Sequence, residues 1–189
     1  MAFDYRRDQI LGRALAYWER KRGSRAMPSR AEIEPSEIMP LLPSLQLIDV
    51  AEGGTRFRYR LVGTDIVAAF GREYTGKWLD ELFATTRLKF AQEVYRLVCR
   101  ERLPVFARSS YLTANERHLI ANRLCVPLSA DGATVTMILG ALTFESTVRP
   151  VTGVWEQARM LDARWTEVIR PADVAAKALA APPRQATRG

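Results

Sequence analysis

The side chains best suited to chemistry in this 189-residue chain are few: one histidine, His118, and two cysteines, Cys99 and Cys125. A histidine-based zinc or di-iron centre needs more than one His, or Cys in its place. The two cysteines are far apart in sequence and belong to no CxxC pair. Cys125 and His118 fall on one expected strand, about 23 Å apart at about 3.3 Å per residue, so they cannot form a nucleophile pair. A lone histidine in an apolar strand suits a hydrogen-bonded structural role better than a catalytic one. The sequence contains no GxSxG, GxxxxGK[ST] or GxGxxG motif. Its acids mostly stand beside arginines in polar stretches; Asp49 is the one strand carboxylate of interest, and its parity opposes Ile48 and Val50. No catalytic residue and no metal ligand is therefore assigned, and a non-enzymatic protein is expected. The alternative is an enzyme with an α+β cup that uses a buried carboxylate or histidine.

Charge gives a second set of candidates. The formal net charge is +7, and basic chains attract nucleic acid. The excess is spread along the chain, however. Only Arg20, Lys21, Arg22, Arg25 and Arg30 cluster in sequence, with Arg56, Arg58 and Arg60 sharing one face of an expected strand. Nucleic-acid binding through these surfaces stays an alternative, and solvated or paired surface charge is the simpler reading. Two cysteines fit a reducing cytoplasm. No run of eighteen apolar residues is present, and charges interrupt the N-terminal stretch where a signal peptide would need its apolar core.

The elements that position these residues follow from periodicity. Residues 8–22 carry Ile10, Leu11, Ala14, Tyr17 and Trp18 as one helical stripe, ended by Gly23. Residues 24–44 form a Pro-rich linker with Pro28, Pro35, Pro40 and Pro43. Strands are expected over 45–51 and 55–63, joined at Glu52-Gly53-Gly54; in the second, Phe57, Tyr59 and Leu61 alternate with arginines. Short helices over 65–70, with Thr64 as its cap, and near 83 precede a long helix over 85–103 with the stripe Leu88, Ala91, Val94, Tyr95 and Val98. Three strands, 104–113, 117–129 and 133–145, then form an antiparallel meander. The last is apolar on both faces, with Val135, Met137 and Leu139 opposite Ile138, Leu142 and Phe144, so its outer face needs a cover: the N-terminal helix or a second copy of the chain. A final amphipathic helix is expected over 153–169, with a frayed tail after Pro171. The expected organisation is an N-terminal helix and linker (1–44), a central domain (45–145), and a C-terminal helix and tail (146–189).

This order of two strands, helices and three strands resembles a PAS domain. Gly71 through Gly76, Lys77 and Leu79, leading to Glu81-Leu82, is similar to the PAS helical segment. Pro127, Asp131-Gly132 and Gly140 are similar to its terminal hairpin. The tryptophan-bearing helix, the Pro-rich linker and the element Tyr59 to Thr64 also resemble a stand-alone proteobacterial PAS-like family. The resemblance implies an α+β fold: a five-stranded antiparallel sheet with helices on one face, here extended by N-terminal and C-terminal amphipathic helices. It also implies a bacterial sensory or signalling role. The photoactive-flavin variants carry an Asn-Cys-Arg motif that is missing here, and the haem variants use an axial His that the 85–103 helix lacks. Both cofactors are disfavoured, and no cofactor is named.

A pocket between sheet and helices would be mostly apolar with a few polar groups. Tyr59 faces inward if Phe57 and Leu61 do, because the three share parity. If Leu124 and Val126 also face inward, His118 and Asn122 do too, unless the opposite parity of that strand is the inner one. Trp78 and Tyr95 complete the candidate ligand residues. The expected function is a cytoplasmic, homodimeric module that binds a small ligand or a signalling protein and transmits through its terminal helices.

Overall fold

In the computed structural model of the chain, which describes residues 4–82, 85–112, 118–146 and 159–170, one sheet separates two layers of cover. Six antiparallel strands lie in the order β2-β1-β5-β4-β3-β6. They span Leu45–Ala51 (β1), Arg56–Val62 (β2), Val105–Leu112 (β3), His118–Ser129 (β4), Val135–Ser146 (β5) and Arg159–Val168 (β6). The helices are α1 (Leu11–Arg22), α2 (Thr64–Phe70), α3 (Leu79–Leu82) and α4 (Thr85–Glu101), with 3-10 turns over Arg30–Glu32 and Pro35–Ser44. The β1–β2 hairpin and the β3–β4–β5 meander stand as the hydrophobic periods predict.

Strand pairing sorts the side chains onto two faces. Gln46 and Ile48 of β1, Phe57 and Tyr59 of β2, Arg123 and Cys125 of β4, and Ile138 and Leu142 of β5 share the face over which α4 packs. The opposite face carries Leu47, Phe106, Leu124, Val126 and Leu139, all buried. It is covered by the chain's own N-terminus. Helix α1 packs on β4 and β5, burying Leu11, Ala14, Leu15, Tyr17 and Trp18. Trp18 Nε1 donates to the Pro127 carbonyl at 2.7 Å, and Tyr5 stacks on Phe106 with centroids 4.9 Å apart. The two-sided apolar β5 thus finds both covers within one chain.

Local chemistry explains the helix ends. Asp8 Oδ1 accepts from the Ile10 and Leu11 amides and starts α1, and Gly23, at φ 56°, ends it. Gly71, left-handed at φ 73°, closes α2 with its amide on Val67 O at 2.8 Å. The cap expected at Thr64 is not there. Thr64 is the first helical residue and Gly63 occupies the cap position, pressed so closely on the Leu42 and Pro43 carbonyls that no Cβ fits.

Two further expectations are corrected. The sheet has six strands rather than five, because residues 159–168 form β6 and not the C-terminal helix expected over 153–169. The stripe Leu161, Trp165, Val168 fits a helix. The free edge of β3 offers a full ladder of backbone partners from Val105 to Leu112, however, and tertiary pairing overrides the local period. Residues 151–158 and the tail from 171 onward lie outside the described residues. In β2, Leu61 is 45% exposed instead of buried with Tyr59. Leu47 pairs with Leu61 and Ile48 with Tyr59, so Arg60 is the extra residue of a β-bulge, and the alternation flips across it.

Candidate functional site

Beneath α4, the inner sheet face holds a cluster of polar side chains where a plain apolar core would be enough for stability. Tyr59 (β2) and Tyr95 (α4) meet hydroxyl to hydroxyl at 3.3 Å, and Gln46 Nε2 (β1) donates to the Tyr95 hydroxyl at 3.3 Å. Gly140 makes room for that glutamine, since a Cβ there would approach its side chain to 2.8 Å. Across the sheet, Arg123 Nη2 (β4) donates to the hydroxyls of Tyr111 (β3) at 3.1 Å and Ser109 at 3.3 Å, and Ser109 donates to Tyr111 at 3.1 Å. Tyr74, from the loop after α2, sets its ring edge-on to Tyr59 with centroids 4.7 Å apart. Arg87 of α4 lays its guanidinium 5.2 Å from the ring centroids of both Phe70 and Tyr111.

These groups enclose a cavity of about 20 Å³, completed by Ala91 and Leu142. That is space for about one water molecule. Its described lining includes two arginines and four tyrosines and no carboxylate.

The electrostatics are those of a buried, cationic site. Burial pushes the Tyr59 hydroxyl up to about 12 and the Tyr95 and Tyr74 hydroxyls well above their ordinary value, so all three are proton donors at neutral pH. Tyr111 goes the other way: burial raises it, but Arg123, the Ser109 hydrogen bond and Arg87 together outweigh burial and bring it below the ordinary value. Arg87 is lowered, chiefly by burial and further by the positive charge of Arg123. Arg123 is 6% exposed and its Nε has no hydrogen-bond partner. Burial opposes its charge, while Tyr111, Tyr95, Cys125 and Tyr59 act the other way and leave it raised overall.

Of the residues expected to line a pocket, Tyr59 and Tyr95 are at its centre. Asn122 is not in it. It is fully buried on the opposite face, where Nδ2 donates to Glu145 Oε1 at 2.7 Å; Arg108 binds Glu145 Oε2 at 2.9 Å. The parity is the reason: Arg123, not Asn122, takes the inner side of β4. Trp78 is also elsewhere. It bridges through its backbone to Arg58, covering the outer edge of β2, and its ring lies 4.0 Å from the Arg56 guanidinium. The backbone of His118 begins β4 opposite Leu112, and its side chain lies outside what the structure describes. Gln46, Tyr74, Arg87, Tyr111 and Arg123 were not anticipated. The available signals were an arginine inside the apolar run of β4 and a glutamine inside that of β1.

Most cations of the two candidate surfaces are engaged; Arg30 instead donates to the Ile33 carbonyl at 3.0 Å. Arg58 and Arg60 pair with Asp49 at 2.8 and 3.4 Å, Arg56 with Asp80 at 3.1 Å, Arg25 with Glu32 at 2.6 Å, and Arg20 and Lys21 with Glu37 at 3.0 Å. A surface offered to phosphates would leave such cations unpaired. Burial pushes the Cys99 and Cys125 thiols up to about 11 and about 12, which makes both poor nucleophiles. Among the described residues no cluster of three or more His, Cys, Asp or Glu could hold a metal, and no helix is long and apolar enough to cross a membrane.

No curated protein matches the chain. The family defined as PAS domain matches residues 7–143, from just before α1 into β5. The match agrees with the hairpin-and-meander sheet and with α2–α4 on the inner face. The chain therefore belongs to the PAS domain family, whose members are sensory and signalling modules.

Proposed function

We propose that this protein is a non-enzymatic cytoplasmic sensor that binds a small molecule in the cavity under α4 and reports occupancy to a signalling protein. The observation that supports this reading is the polar cluster itself. Buried hydroxyl, amide and guanidinium groups cost stability unless they are satisfied, and a domain that only had to fold would fill this space with apolar side chains. A ligand here would touch α4 and residues of the five strands β1 to β5 at once. Its binding would change how α4 packs, and a partner could read that change. A homodimer fits the same reading. The outer edge of β6 is a sheet end that no described segment pairs with, and a second copy could add there.

Native mass spectrometry of the purified protein, compared with the denatured mass, tests both points. The expected result is a dimer whose native mass exceeds twice the chain mass by a compound that denaturation releases. If the protein is bare and neither gains mass nor gains thermal stability with any member of a metabolite panel, the ligand reading fails. A monomer under the same conditions would remove the dimer.

A further inference from the structure

We infer that the cavity under α4 is a carboxylate-binding site, with Arg123 as the residue that recognises the anion. This rests on the sensor reading above and supplies the chemical class of its ligand. Arg123 is the anchor of the argument. Its side chain is 6% exposed and lines the cavity, its Nε is buried without a hydrogen-bond partner, and none of the described carboxylates pairs with it. A guanidinium is always charged, and a buried charge without a counter-ion is costly. Nη2 already serves Tyr111 and Ser109, so part of the guanidinium fork is still unsatisfied.

Arg87 strengthens the case from the other side of the cavity. Its charge and that of Arg123 are close enough to act on one another, each disfavouring the other. Two like charges around a small space with no acid in its described lining lower their energy together when an anion enters. The remaining lining matches such a guest: the hydroxyls of Tyr59 and Tyr95 keep their protons at neutral pH, and since one proton lies in the bond between them, one hydroxyl of the pair can donate to it.

Size selects the anion. About 20 Å³ holds about one water molecule, so only a small head group can enter, displacing that water as α4 yields. A phosphate or sulfate is larger and tetrahedral. A planar carboxylate matches the planar guanidinium fork: it can take the Nε–H that has no partner, and a parallel N–H of Nη2 by displacing Tyr111 or Ser109. A halide would fit by size but cannot bridge two donors in that way.

The test uses the full chain and four probes: formate, acetate, and their neutral isosteres formamide and acetamide. Thermal unfolding and calorimetric titration are measured at an ionic strength held constant with sodium chloride, so chloride competes throughout. The expected result is saturable stabilisation by formate or acetate, with the matching amide at least about tenfold weaker, as the loss of a charge-assisted hydrogen bond predicts. Arg123→Met should abolish the carboxylate effect, and Arg123→Lys, which keeps the charge and loses the fork, should weaken it at least about tenfold. Because acid and amide are compared in the wild-type protein, the outcome does not depend on the variants folding. Equal binding of acid and amide, or full carboxylate binding by Arg123→Met, overturns the inference while leaving a ligand cavity in place. No stabilisation by any of the four probes overturns it too; if a metabolite panel also leaves the protein bare, the sensor reading falls with it.

Discussion

At the scale of single residues, the tyrosines make the inner site measurable. Tyr59 holds its proton up to about 12, against about 10 for an exposed tyrosine, because burial disfavours the phenolate. Between those two values the unfolded chain has lost a proton that the folded chain keeps. Stability is therefore fully present below pH 10 and falls as pH rises towards 12, by about 3 kcal/mol for Tyr59. Tyr95 and Tyr74 act in the same direction, and Tyr111 opposes them. The Tyr59→Phe variant should lose its share of this alkaline decline. Urea midpoints at pH 8 and pH 11.5 for both proteins would show a smaller drop in the variant, and equal drops would mean that Tyr59 is not held neutral by burial. The inward placement of Tyr59 and Tyr95 was legible in the alternation of β2 and the helical stripe of α4. Arg123 was not, because both parities of β4 are apolar enough to face a core. Only the pairing with β5, which sets Arg123 beside Leu142, decides between them.

At the scale of elements, hydrophobic period recovered five of the six strands and all the longer helices. It failed where a neighbour supplied the deciding energy. The bulge at Arg60 reverses β2 for reasons of sheet geometry, and β6 exists because β3 has an edge to fill. A cover was anticipated, by the N-terminal helix or by a second copy, since a strand apolar on both faces must be covered on both; the structure supplies α1. Its anchor is Trp18, which is fully buried and bonded to the Pro127 carbonyl. Replacing it with Ala should cost about 3–5 kcal/mol through the cavity it leaves, and Phe about 1–3 kcal/mol through the carbonyl left without its donor. Equilibrium urea unfolding measures both. A Trp18→Ala protein as stable as wild type would show that α1 is not a structural layer of this fold.

At the scale of the whole molecule, the sheet divides two unlike environments. On the back, α1 and the linker form an apolar seal with Met27, Ile33, Ile38 and Leu41. In front, α2 and α3 span only Thr64–Phe70 and Leu79–Leu82, and α4 rests partly on the polar cavity. Short helices are marginal without packing, and a polar, imperfectly satisfied contact holds its cover less tightly than an apolar one. The front should therefore open locally while the back stays closed. Native-state hydrogen exchange should show the amides of α2, α3 and the first half of α4 exchanging well before those of α1, with the central strands β1, β5 and β4 slowest. A bound anion closes only what it touches. At a concentration about a hundredfold above its dissociation constant it should slow the front helices by up to about a hundredfold, where their opening empties the site. Opening events confined to α1 should keep their rates, because they leave the cavity intact. If α1 were the first element to exchange, or if an anion slowed both layers equally, the sheet would not be acting as a divider. The signal would then have to leave through the whole fold and not through the helices that cover the cavity.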